Sequence, residues 1–147
     1  MDILIRKTTI SDLAAVYGLV EELAIYENAP QELTASLTDY ERDFTDGIFE
    51  SQVALHNGKI IGTIIYYMTY STWKGRMLYL EDFVITEAYR QKGVGVLLFK
   101  AFLQTAKEKG ARLTKWQVLD WNEPAIKFYE KHGATLEKEW WNGKIFL

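Results

Sequence analysis

The sequence predicts an α+β domain, a mixed and mostly antiparallel twisted sheet with helices on both faces. Three observations point there. Two alternating apolar runs meet at Asn57-Gly58, a pair suited to the positive φ values of a tight hairpin. A strand, a glycine-spaced turn, a helix and a further strand then follow from Tyr79 onward, an order that demands a parallel crossover. Leu13, Val16, Tyr17, Val20, Leu23 and Ala24 repeat at helical spacing ahead of both.

In chain order, "ILIRKTT" alternates as a strand, and Thr9 with Asp12 three residues on has the form of a helix cap. The amphipathic helix that follows is expected to reach about Tyr26. "SLTDYERDF" reads as a second helix, and "FESQVALHNGKIIGTIIYYMTY" as the two hairpin strands. The loop "STWKG" leads to a strand in "RMLYLEDFVI". Past the glycine turn, "VGVLLFKAFLQTAKEKG" is helical, with Val94, Leu97, Leu98, Ala101 and Phe102 expected to face inward. "LTKWQVL" reads as a strand, "PAIKFYEKHG" as a helix ended by Gly133, and the aromatic C-terminus as further strands.

Composition narrows the function. At 147 residues, with 48% hydrophobic, 25% charged and 14% aromatic residues, residues 1–147 are expected to form one globular domain. The N-terminus lacks the order of a secretory signal and no long apolar span is present, so a soluble, cytoplasmic protein with no membrane partner is expected. Without cysteine there is no disulfide, thiolate metal site or cysteine nucleophile. His56 and His132 form no ligand cluster, so no metal is expected. A net charge of −3 and no basic stripe longer than "YRQK" argue against nucleic acid and permit a cationic ligand.

The turn at Arg90, Gln91, Lys92, Gly93 and Gly95 carries the first chemical signal. Glycines let backbone approach a ligand, and the unpaired N–H groups of a helix start, with the helix dipole, favour an anion such as phosphate. The spacing R-x-x-G-x-G matches neither the P-loop nor the dinucleotide fingerprint, and on pattern alone ordinary turn chemistry explains it as well.

Two ordered motifs, the strand with R-x-x-G-x-G and the later "NEPAIKFYEKHGA", resemble the GCN5-related N-acetyltransferase superfamily. Within it, "YYMTYSTWKGRMLYLEDFVITEAYRQKGVG" and "WNEPAIKFYEKHGA" are similar to the diamine (spermidine/spermine) N-acetyltransferases. The resemblance covers nearly the whole chain. It implies acetyl-coenzyme A as cosubstrate, with the pyrophosphate on Arg90, Gln91, Lys92, Gly93, Val94 and Gly95, followed by Val96. It implies pantetheine pairing along Phe83, Val84 and Ile85, a coenzyme contact at Asn122, and a homodimer. Asn122 also suits the N-cap of the helix that Pro124 opens.

Acetyl transfer needs a neutral amine, and a typical alkyl amine titrates near the lysine value of about 10.4. By resemblance Glu81 is the substrate contact and base, with Asp82 beside it as a second substrate residue. Against this, adjacent strand residues ordinarily point to opposite faces, which would leave one acid structural. Tyr129 is implied as the acid that protonates the leaving thiolate and as a coenzyme contact, although Ile126, Phe128 and Tyr129 also form an apolar face fit for a core. Tyr26 and Glu27 match the group's substrate pair, and Glu139 is a further candidate for the ammonium groups of a small-molecule amine. Trp73, Trp121, Trp140 and Trp141 read as core or interface. The resemblance leaves open an enzyme for another free amine, such as an amino acid or antibiotic, or a non-catalytic coenzyme-binding module.

Overall fold

The computed structural model describes residues 1–147, which separate into two compact units, Met1–Trp116 and Gln117–Leu147. The first unit contains strand β1 (Leu4–Lys7), helices α1 (Leu13–Tyr26) and α2 (Leu37–Thr45), strands β2 (Glu50–His56), β3 (Lys59–Ser71) and β4 (Gly75–Ile85), helix α3 (Val94–Glu108) and strand β5 (Leu113–Lys115). The strands lie in the order β1-β2-β3-β4-β5, antiparallel except for the β4–β5 pair, which is parallel across the α3 crossover. The mixed α+β sheet expected from the sequence is therefore present.

Local chemistry sets the boundaries. Asn57 and Gly58 take φ of 51° and 76° and turn β2 into β3. Asp12 accepts the Thr9 N–H at 2.8 Å and pairs with Arg6 at 2.7 Å, tying β1 to the entry of α1. The Arg6 guanidinium holds the Asp12 carboxyl down at about 2. Ser36 caps α2 through the Asp39 N–H at 3.1 Å.

Period-two alternation on β3 sends odd and even residues to opposite layers. Ile65 packs with Val53, Val16 and Val20 beneath α1, while Tyr66 meets Phe102 of α3 at a ring separation of 5.6 Å. An aromatic chain fixes α2 over the α1 side. Tyr17 meets Tyr40 at 4.9 Å, Tyr40 meets Phe49 at 5.8 Å, and the Tyr17 hydroxyl donates to Ala35 O at 2.7 Å.

Three expectations need correction. Leu97 is 43% exposed, because the face of α3 that packs on the sheet runs through Val94, Leu98, Phe102, Thr105 and Ala106. β5 ends at Lys115 rather than Leu119, since its pairing with β4 extends over three residues. In the second unit α4 (Glu123–Lys131) is present and Gly133 follows it at φ 86°, but residues 134–147 form no strand. Strand-forming aromatics need a paired neighbour, and Trp140 and Trp141 are 69% and 95% exposed; Trp73 and Trp121 are exposed too, so none of the four is core.

The α3 seam is closest at Gly62 of β3, where a Cβ would lie 2.6 Å from Ile85 Cδ1 and 3.2 Å from both Leu98 Cδ1 and the Val84 carbonyl. Gly62→Ala is expected to destabilise the protein by about 1–3 kcal/mol through overpacking. Urea unfolding would show a lower midpoint at constant slope, and an unchanged midpoint would mean the seam has slack.

Candidate active site

The site is built around one irregularity in β4. Ile65 of β3 faces Asp82, but the next residue, Tyr66, faces Leu80, so Glu81 is the extra residue of a β-bulge. Tyr79, opposite Tyr67, and Asp82, opposite Ile65, lie on the α1–α2 layer. The bulge adds Glu81 to that same side. The two acids therefore share one cavity instead of pointing to opposite faces, which corrects the expectation from regular alternation.

The cavity holds about 310 Å³ and is lined by acids from two elements, Asp39 and Asp43 of α2 with Glu81 and Asp82 of β4. Tyr40, Phe49, Tyr67, Ile48 and Ile65 form its apolar and aromatic walls. Arg42 is the counter-ion of the α2 pair, at 3.3 Å from Asp39 and 3.0 Å from Asp43. No lysine or arginine lines the cavity beside the β4 pair. The Tyr67 hydroxyl donates to Glu81 Oε2 at 3.0 Å.

Asp82 keeps a partly open face, yet protein surrounds most of its carboxyl. Burial, reinforced by the charges of Glu81 and Glu27, pushes it up to about 7. Burial also raises Glu27, which follows the last residue of α1. A cavity acid held short of its charge by burial, as Asp82 is, suits a cation that desolvates with it.

The glycine turn lies further along the same strand. The Thr86 N–H donates to Ile61 O at 2.9 Å, and its hydroxyl to Glu22 at 2.9 Å, which fixes the exit from β4. Gln91 at φ 60° and Gly93 at φ 83° are left-handed, and the non-glycine residue stores strain of about 1–3 kcal/mol there. The turn delivers Gly93 as the N-cap of the 15-residue α3, so the N–H groups of Val94, Gly95 and Val96 open the helix. Arg90 donates to Ile85 O at 3.0 Å with its guanidinium 5.0 Å from the Tyr26 ring, and the Lys92 ammonium lies 5.6 Å from the Tyr89 ring. Open space above Gly93, two flanking cations and the α3 donors fit a pyrophosphate. Pairing of β4 with β5 covers Met77–Tyr79 while β4 runs on through Phe83, Val84 and Ile85, so the sheet opens beside that stretch.

Residues 14–134 match the family model described as Acetyltransferase (GNAT) family. The chain belongs to that family. GNAT enzymes use acetyl-coenzyme A as the acetyl donor, in keeping with the donors gathered at the turn. The chain is similar to the thialysine N-epsilon-acetyltransferase of Bos taurus, 32% identical over 155 residues that cover 95% of this chain and 89% of the bovine protein. It is also similar to the spermidine/spermine N(1)-acetyltransferase-like protein 1 of Homo sapiens, 34% identical over 139 residues and 88% of this chain, although the match spans 20% of that longer protein. Its fold is that of an aminoglycoside acetyltransferase from an uncultured soil metagenomic sample, with a TM-score of 0.82 at 20% identity over 99% of this chain and 96% of the other.

Among the residues that the GNAT resemblance singled out, the first unit brings together Glu81 and Asp82 in the cavity, with Glu27 near Asp82 and Tyr26 beneath Arg90. Asn122, Tyr129 and Glu139 belong to the second unit. There the Asn122 side chain accepts the Ala125 N–H at 3.4 Å as the cap of α4, Tyr129 is buried and Glu139 is exposed. Sequence reasoning missed the α2 wall and Tyr67. Asp39, Tyr40 and Asp43 at i, i+1 and i+4 were the available signal, two acids on one helical face beside an aromatic. No helix is long and apolar enough to cross a membrane.

The raised Asp82 fixes the sign of a stability test. Native Asp82 keeps its proton to about pH 7, whereas an unfolded aspartate loses it near about 3.9. Between those values the folded state binds more protons, so this group's contribution falls as pH rises. Asp82→Asn is expected to be more stable than the parent at pH 8, on the order of 2–4 kcal/mol, and equal to it at pH 4. Denaturant titrations at the two pH values check this; a variant less stable at pH 8 would contradict it.

Proposed function

We propose that this chain is an acetyl-coenzyme A dependent N-acetyltransferase that acetylates a primary amine of a small diamine, polyamine or related amino compound such as thialysine. The observation that carries the reading is the cavity at the β4 bulge, where two uncompensated carboxyl groups meet aromatic walls on the strand that leads to the phosphate-binding turn. Alternating charge and apolar wall matches an alkyl chain ending in ammonium groups. The names of the bovine and human relatives support the same substrate class.

Acetyl-coenzyme A would bring the acetyl group as a thioester whose sulfur leaves as a thiol. Arg90, Gln91, Lys92 and the amides of Gly93, Val94, Gly95 and Val96 would hold its pyrophosphate, and Phe83, Val84 and Ile85 would guide its arm. The Glu81–Asp82 pair would receive the ammonium and take one proton from it, with Tyr26, Glu27 and Glu139 as further substrate contacts by their match to the family. The freed lone pair would then attack the thioester carbon, the C–N bond forming as the C–S bond breaks, and the second proton that the nitrogen sheds would replace the one given to the sulfur. Tyr129, by its match to the family motif, supplies a proton to the departing sulfur, and Asn122 contacts the coenzyme from the cap of α4. The family match runs through both compact units, which supports one acetyltransferase domain over residues 1–147. The same reading makes the protein a cytoplasmic homodimer, the exposed Trp140, Trp141, Ile145 and Phe146 being suited to self-association.

The test is thiol release from acetyl-coenzyme A across an amine panel of 1,4-diaminobutane, spermidine, thialysine, ornithine and an aminoglycoside. Diamine-like compounds are expected to dominate, and release confined to the aminoglycoside would overturn the substrate class. Tyr129→Phe is expected to slow transfer about 10²-fold, the lower end for general acid catalysis because a thiol titrating near about 8.5 leaves readily. Coenzyme affinity should hold in calorimetry. A folded variant with full turnover would remove the acid role.

A further inference from the structure

The two cavity acids of β4 differ in their partners. Glu81 receives the Tyr67 hydroxyl on Oε2, whereas no donor of the chain lies within hydrogen-bonding distance of the Asp82 carboxyl. We propose that Tyr67 is a positioning residue that divides the work of the pair: it holds Glu81 in the cavity as the anionic seat for the substrate ammonium and leaves Asp82 to take the proton. This rests on the N-acetyltransferase reading above and moves the proton-accepting role from Glu81, where the family resemblance puts it, to its neighbour.

Tyr67 is itself immobilised. It faces Tyr79 directly across the β3–β4 register, and the rings stack at 5.4 Å with 23° between their planes. Burial and the nearby Glu81 charge keep the phenol protonated well beyond the usual range, so it remains a donor at every working pH. The phenol donates to Glu81 Oε2 across 3.0 Å, which fixes the orientation of the carboxyl group. With Oε2 so engaged, Oε1 is the atom that meets an ammonium.

The bulge makes this arrangement possible. In a regular strand Glu81 would share the α1–α2 layer with Tyr79, and Asp82 would point to α3; the extra residue keeps both on the Tyr67 side. Asp82 sits deeper, and the ionisable groups that face it are Glu81 of its own strand, Glu27 after α1, Tyr40 of α2 and Tyr67 of β3. Asp39 and Asp43 across the cavity are balanced by Arg42. No positive side chain lines the cavity to favour the Asp82 anion, so it binds a proton readily near neutrality. In the transfer step the ammonium N–H bond breaks, its proton joins an Asp82 oxygen, and the nitrogen lone pair is released for attack while Glu81 keeps its contact with the amine.

The experiment compares Tyr67→Phe, Glu81→Gln, their double variant and Asp82→Asn. Two readouts are used, calorimetric binding of 1,4-diaminobutane to the full chain and the pH dependence of kcat/KM with the best amine of the panel. Tyr67→Phe preserves the stacked ring and is expected to weaken diamine binding about tenfold, raising KM more than it lowers kcat, with the neutral midpoint of kcat/KM retained. The double variant should bind no more weakly than Glu81→Gln alone, because Tyr67 acts through Glu81. Asp82→Asn should lower kcat by about 10² to 10⁴ and abolish the rise of kcat/KM through neutral pH. Unchanged diamine affinity in Tyr67→Phe, additive losses in the double variant, or a neutral midpoint lost in Glu81→Gln and kept in Asp82→Asn would each overturn the proposal. A wild-type protein that releases no thiol with any amine would defeat the acetyltransferase reading, and the proposal with it.

Discussion

One extra residue in β4 organises the rest of the molecule. On the Gly75 side of the bulge β4 is clamped between β3 and β5, with Leu78 and Leu80 buried; beyond it β4 continues against β3 toward the glycine turn. The bulge places Glu81 and Asp82 together where the strand changes from a closed to an opened neighbourhood. Everything around that point keeps it from relaxing. Phe83, on the other face, stacks on Phe99 of α3 at 6.0 Å, and Gly62 lets α3 press against the strand from β3.

Two packed layers hold the consequences in place. The α1–α2 layer, linked through Tyr17, Tyr40 and Phe49, supplies the outer wall of the cavity and carries Asp39 and Asp43. The end of α1 carries Tyr26 beneath Arg90 of the glycine turn and Glu27 near Asp82. Crowding acids in this way opposes folding near neutrality. Fully buried Leu13, Val16, Val53, Ile61, Ile64 and Leu98 offset it, each side chain contributing roughly 1.5–3 kcal/mol. Strain at Gln91 is a second local loss concentrated at the site, in line with the general conflict between stability and function.

Much of this was legible in the residues. Asn57-Gly58, Ser36 before α2 and Gly93 before α3 mark their turns and caps because each position requires a particular φ or a particular side-chain acceptor. The glycine turn and the start of α3 were legible through the R-x-x-G-x-G spacing. The bulge was not: neither glycine nor proline flags it, and Glu81-Asp82 reads as ordinary alternation until the partner strand fixes the register. Nor was the α2 wall, since Asp39 and Asp43 are typical of an exposed helix and become part of a cavity through the aromatic contacts beneath them. The short β5 and the strandless C-terminus have the same origin: apolar and aromatic residues such as Trp116, Val118 and Trp141 permit a strand, but pairing, a non-local property, decides whether it forms.

The central claim is that the bulged strand presents two acids to an ammonium and that Asp82 changes its charge when that ammonium arrives. Calorimetric titration of 1,4-diaminobutane, repeated at pH 6 in buffers of different ionisation enthalpy, reads the protons exchanged on binding. With Asp82 protonated in the free protein at that pH, the account predicts release of close to about one proton per diamine bound, falling toward zero above about pH 8. Binding at pH 6 with no proton released, or equal binding of uncharged 1,4-butanediol, would contradict it.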